Sequence, residues 1–236
     1  MRLSFIFVYD IKYHHSSVRK NIKSKMEWLI KLDKELLLYL NHINSPAYDN
    51  IMWWISRTNS WIPLYIFLLI FIIYRERPYR FIFTILFVAV TVTLCDQVSV
   101  LIKNLIERPR PTHDSEIAGM VHIINNYRGG MYGFVSSHAA NSFGLAAFLS
   151  NQFKHFRWSF FLVVWAVVVS YSRIYLGVHY PLDIVCGAIL GSLIGIQCYV
   201  LKVHTVVFFE DRFEIRNEKK RKSQRAKIWT GITKGK

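Results

Sequence analysis

Four apolar runs, at about residues 82–105, 137–152, 157–177 and 182–203, dominate the chain. Each approaches or exceeds the roughly 17 to 25 residues that a helix needs to cross a bilayer core. A fifth run, residues 61–74, is shorter and gains length from the weakly polar stretch 51–60 before it. Within lipid every backbone polar group must be satisfied inside its own segment, so such runs fold as helices. Hydrophobic residues make up 53% of the 236 and charged ones only 19%, which excludes an ordinary soluble domain. The chain therefore reads as all-α, an integral membrane helical bundle of about five to six transmembrane helices. Its three cysteines, Cys95, Cys186 and Cys198, all sit in apolar runs without a CxxC spacing, which excludes a disulfide framework and a zinc site.

Upstream of the runs, Trp28, Leu29, Leu32, Leu36, Leu37 and Leu40 recur at helical spacing among Lys31, Asp33, Lys34 and Glu35. This pattern predicts an N-terminal amphipathic helix lying in the membrane interface. Pro46 separates it from residues 47–54, which dip into the bilayer beside it. Residues 1–25, with Arg2, Lys12, Arg19, Lys20, Lys23 and Lys25, are expected to form a basic, unstructured extension ahead of a start at Met26. A further crossing near residues 36–56 is the competing expectation. Residues 26–203 then form the membrane-embedded domain and 204–236 a basic tail.

Lys and Arg in short loops and tails mark the cytoplasmic side. They concentrate in residues 75–80, 154–157 and the stretch from Lys202 onward, which alternate crossings place together. The tail motif Lys219-Lys220-Arg221-Lys222 suits anionic lipid and topology rather than nucleic acid, so no nucleic-acid partner is expected.

The opposite side receives three polar motifs: Lys103-x6-Arg110-Pro111, then Ser136-Ser137-His138, then Ser172-Arg173-x5-His179-x3-Asp183. Phosphoryl transfer spreads negative charge over equatorial oxygens, and preorganised cations in a water-poor site stabilise it. Lys103, Arg110 and Arg173 supply three positive charges. Ser136 and the backbone N–H groups at the start of the third run supply donors. An imidazole whose far nitrogen donates to a carboxylate is a suitable nucleophile, and His179 lies four residues from Asp183. His138 remains free as general acid and base. No cluster of carboxylates suits magnesium, so neither metal nor cofactor is expected; the cations take the metal's place.

These motifs resemble the signature of the type 2 phosphatidic acid phosphatase (PAP2) superfamily, K-x6-RP, PSGH and SR-x5-H-x3-D. The first and third match at every defining position; in the second, Val135 replaces the proline and Ser137 the glycine. The resemblance covers about residues 27–203. It implies a membrane lipid phosphatase working through a phosphohistidine, with His179 as nucleophile, Asp183 as its orienter and His138 as general acid. Lys103, Arg110, Ser136, Ser137 and Arg173 would bind phosphate. The compact form is similar to bacterial members acting at the outer face of the inner membrane on undecaprenyl diphosphate, lipid A or phosphatidylglycerol phosphate, with the first two favoured. The alternatives are a phosphatidic acid phosphatase, a lipid phosphotransferase and a catalytically silent membrane scaffold.

Three further features carry expectations. Asp96, seven residues before Lys103, is expected to partner that lysine or a neighbouring polar group. Gly187, Gly191 and Gly195 form a stripe that allows close helix approach within the molecule. In the loop 112–134, Arg128 is the residue expected to touch a head group.

Overall fold

The computed structural model describes the backbone of residues 2–234 and the side chains of residues 21–218 and 221. Seven α-helices follow one another: α1 (Arg2–His42), α2 (Pro46–Ser56), α3 (Ile62–Arg75), α4 (Pro78–Ile106), α5 (Ser137–Phe153), α6 (Phe156–Tyr175) and α7 (Pro181–Lys234). Prolines 46, 63, 78 and 181 stand at the starts of α2, α3, α4 and α7, where a missing N–H costs nothing. No strand forms among the described residues, as the fold-class expectation requires.

Thr58–Arg75, Pro78–Ile106, Phe156–Tyr175 and Pro181–Glu218 are long and apolar enough to cross a membrane. The 17-residue α5, shorter than these four, is enclosed by α4, α6 and α7. It can be short because its neighbours shield it: Ala139, Ala140, Ala146, Phe148 and Leu149 are all buried. Around it Leu68, Ile72, Leu162, Trp165 and Cys198 form the main core. Most residues left exposed along the middle of α3 and α4, such as Ile66, Ile70 and Leu86, are apolar and face outward, as lipid contact demands.

The glycine stripe joins α7 to α5. A Cβ at Gly191 would stand 2.0 Å from the Ala140 carbonyl oxygen, and one at Gly195 would stand 2.2 Å from that of Gly144. The two backbones therefore touch, which sets the start of α5 directly against the start of α7.

Two expected boundaries have no counterpart in the backbone. α1 continues unbroken across residues 25 and 26, where an unstructured extension was expected to end; the side chains before residue 21 lie outside the described ones. α7 likewise passes Val203 without a break. The docking face of α1 is the one an interfacial amphipathic helix leaves for protein. Trp28, Leu29, Leu32 and Leu36 are exposed, while Asp33, Leu37 and Asn41, spaced four apart, are buried against the protein. The apolar stripe is left for lipid, and the mostly polar stripe binds the end of the bundle.

At the other end, Lys202 donates to Gln152 Oε1 at 2.9 Å and lies 3.9 Å from Glu76, while Arg80 pairs with Glu210 at 2.7 Å. The basic loops are thus gathered away from the three motifs.

Candidate active site

The site is built where α4, α5, α6 and α7 end or begin on one face. After Tyr175 the chain turns back through Gly177, whose φ of +69° and whose missing Cβ, which would lie 2.2 Å from Val121 Cγ1, leave room for glycine alone. That turn delivers His179 into the interior with 1% of its surface exposed. Asp183, in the first turn of α7, is fully buried, and its Oδ2 lies 3.3 Å from His179 Nδ1. Tyr180 N–H donates to the same oxygen at 3.0 Å. With Nδ1–H assigned to the carboxylate by this pairing, Nε2 carries the lone pair.

Arg110 meets that lone pair: its Nη1 lies 3.1 Å from His179 Nε2. The guanidinium is held by the carbonyls of Tyr132, at 3.1 Å, and Val178, at 3.2 Å. The loop beneath it folds back on itself, with Arg110 N–H donating to Met131 O and Gly133 N–H to Arg108 O. Gly129 and Gly133 supply the clearance, since a Cβ on either would press on the Arg110 side chain. Burial holds the His179 imidazole well below its ordinary pKa, and the charges of Arg110, Arg173 and Lys103 push the same way. A neutral ring among cations, once its lone pair is released by Arg110, can attack an anionic phosphorus centre.

Arg173, almost fully buried, donates to Ser56 Oγ and, at 3.2 Å, to Tyr127 OH. Its Nε is buried without a hydrogen-bond partner, which leaves one donor of the fork for a ligand. Burial pushes the Tyr127 phenol up, but the Arg173 charge and hydrogen bond outweigh it, so its pKa is lowered.

Lys103 donates to Ser137 Oγ. Asp96, expected to partner Lys103 or a neighbouring polar group, acts on Lys103 through space, while the hydrogen bond goes to the second residue of the neighbouring motif. Ser136 is fully buried; its N–H donates to the Asp183 carbonyl at 3.0 Å and its Oγ caps α5 by accepting from Ala139 N–H at 3.4 Å. His138 follows in the first turn of α5, within electrostatic reach of Arg173, His179 and Arg110. It also lines a cavity of about 590 Å3, together with Asn141, Ser142, Trp61, Leu149 and Trp165.

All the motif residues thus converge, and Arg128 stands apart. Its side chain is exposed, and only its carbonyl is used, accepting from Thr112 Oγ1 at 2.8 Å. The neighbouring Tyr127 is the loop residue that reaches the site.

Sequence reasoning missed two charged residues. Arg108 donates through Nη1 to Asp183 Oδ1 at 2.9 Å and through Nη2 to Asp33 Oδ2 at 2.6 Å, with its guanidinium 3.9 Å above the Tyr180 ring. Asp33, on α1, also accepts from Leu182 N–H at 2.9 Å. Burial raises the Asp33 pKa, partly offset by Arg108 and that N–H. The arginine was visible in Arg108-Pro109-Arg110-Pro111, and the acid in the four-residue spacing Asp33, Leu37, Asn41. Ser56 carries no such signal.

Residues 81–205 match the PAP2 superfamily. The chain belongs to that superfamily. It is 40% identical over 179 residues to a lipid A 4'-phosphatase of Bacteroides thetaiotaomicron, covering 75% of this chain and 79% of that protein. A lipid A 4'-phosphatase of Porphyromonas gingivalis is 35% identical over 76% of this chain and 75% of its own length. An undecaprenyl-diphosphatase of Sulfolobus acidocaldarius is 30% identical, with 70% and 76% covered. Among solved structures, Aquifex aeolicus LpxE superposes with a TM-score of 0.51 at 25% identity, over 72% of this chain and 93% of that one. A Bacillus subtilis phosphatidylglycerolphosphate phosphatase shares the fold, with a TM-score of 0.55 at 20% identity over 78% and 87%.

Proposed function

We propose that this PAP2 membrane protein is a lipid phosphatase that removes a phosphate from lipid A, through a phosphohistidine on His179. The observation that carries the reading is the pairing of Asp183 with His179 Nδ1 while His179 Nε2 faces Arg110, beside a cavity whose wall includes His138. The mainly apolar lining of that cavity suits a lipid substrate.

In the first step Nε2 attacks phosphorus, the bond from phosphorus to the lipid oxygen breaks, and protonated His138 gives its proton to that oxygen. The incoming phosphate favours the protonated form of His138 by its own charge. In the second step neutral His138 takes a proton from water, whose oxygen attacks phosphorus as the bond to Nε2 breaks. Asp183 holds the Nδ1 proton throughout. Lys103, Arg110 and Arg173 balance the charge on the transferring group, with Ser136 and Ser137 as hydroxyl donors.

Lipid A is preferred because two relatives carrying that activity in their names are 40% and 35% identical over three quarters of the chain. The undecaprenyl-diphosphatase relative supports undecaprenyl diphosphate as the second reading. The basic loops at the far end favour an inner-membrane protein with its site facing outward and its C-terminal segment in the cytoplasm. The test is inorganic phosphate release by purified protein in detergent from lipid A, undecaprenyl diphosphate, phosphatidylglycerol phosphate and phosphatidic acid. Lipid A should give the highest kcat/KM. A higher value for another lipid overturns the substrate, and label passing to an alcohol without free phosphate overturns hydrolysis.

A further inference from the structure

Asp183 turns Oδ2 to His179 and pairs through Oδ1 with Arg108, which pairs in turn with Asp33. We propose that Arg108 and Asp33 are positioning residues for the phosphatase reaction, and that the interfacial helix α1 thereby supplies part of the catalytic machinery. This rests on His179 being the nucleophile.

The geometry gives each of the three groups one job. Arg108 divides its fork, with Nη1 on Asp183 at 2.9 Å and Nη2 on Asp33 at 2.6 Å. The Tyr180 ring beneath the guanidinium, at 3.9 Å, fixes its plane, so neither nitrogen turns toward the phosphate site. Asp33 also accepts from Leu182 N–H, next to Asp183, and so holds the first turn of α7 by backbone and side chain together. Side-chain exposures of 2% for Asp33 and 0% for Asp183 keep water from substituting for these contacts.

The charges follow from the same arrangement. Asp33, Arg108 and Asp183 together carry one negative charge, the same as a lone carboxylate, but spread along a rigid line. Asp33 thus prevents Arg108 from neutralising the carboxylate that must stabilise a positive imidazole ring. Removing Asp33 leaves Arg108 to Asp183 alone and disfavours the charged ring. Removing Arg108 leaves two buried carboxylates near one another and favours it. The other groups facing His179 are unchanged by either substitution: Arg110 from the loop, Arg173 from α6, Lys103 from α4 and His138 from α5. Asp183 is faced besides by Arg110, Tyr180 and Cys186.

The test uses the full chain in detergent with lipid A, comparing wild type, Asp33→Asn, Asp33→Glu, Arg108→Gln and the Asp33→Asn/Arg108→Gln double variant, with His179→Ala as control. Each single neutral variant is expected to lose roughly tenfold to a hundredfold in kcat, with KM within about threefold. The acid limb of the pH profile of kcat/KM should move to lower pH in Asp33→Asn and to higher pH in Arg108→Gln. Since Asp33 acts through Arg108, the double variant should lose no more than Arg108→Gln alone. Limbs that stay put or move the same way, or losses that multiply in the double variant, overturn the proposal. Should Arg108→Gln not fold, Asp33→Asn against Asp33→Glu decides: a shifted limb only in the first supports it, and identical profiles sink it. Phosphate release that survives His179→Ala would remove the reading beneath it as well, and is thereby told apart from a failure of the pair.

Discussion

Arg110 Nη1 lies 3.1 Å from His179 Nε2, so the resting site keeps its nucleophilic lone pair occupied by a guanidinium donor. A bound phosphate oxygen must draw that donor away, which couples binding to release of the nucleophile. Arg110→Gln is expected to lower kcat by about 100-fold to 1000-fold, the usual cost of one preorganised donor at a transition-state oxygen, and to raise KM. Steady-state phosphate release checks it.

The depressed His179 pKa has a consequence for stability. Burial, then Arg110, Arg173 and Lys103, hold the folded-state value well below 6.5, so the unfolded chain takes up this proton first as pH falls. Stability is then insensitive to this group above pH 6.5 and declines as pH drops below it. Thermal unfolding in detergent should show that acid-side decline for the wild type and a smaller one for His179→Gln.

Gly191 has no room for a methyl group, since its Cβ would meet the Ala140 carbonyl oxygen at 2.0 Å. Overpacking costs about 1–3 kcal/mol, more than the roughly 1 kcal/mol of helix propensity that alanine returns. Gly191→Ala should therefore melt at lower temperature and lose activity, because it parts the start of α5, with Ser136 and His138, from Asp183.

Much of this was legible in the chain. The runs gave the bundle because lipid allows few alternatives, and the four-residue spacing of His179 and Asp183 gave their pairing because it lies within one turn and one helix start. What escaped depended on folding across long separations: Arg108 meets Asp33 over 75 residues and Arg173 meets Ser56 over 117, and neither pair has a local pattern. The apolar face of α1, by contrast, was legible, because an amphipathic helix in the interface gives its apolar stripe to lipid. Tyr127, next to Arg128, also escaped, since its hydroxyl meets Arg173 across 46 residues.

The proposed phosphate-binding cations Lys103, Arg110 and Arg173 would supply charge stabilisation from side chains that a chelator cannot remove. Phosphate release in excess EDTA should equal that without it; a loss restored by added magnesium would contradict the role given to these cations.

The most direct measurement is inorganic phosphate release from lipid A by purified wild type and His179→Ala, side by side in the same detergent. A nucleophile's removal is expected to lower kcat by at least about 1000-fold while the protein still folds and elutes as the wild type does. Equal release by the two proteins would contradict the account.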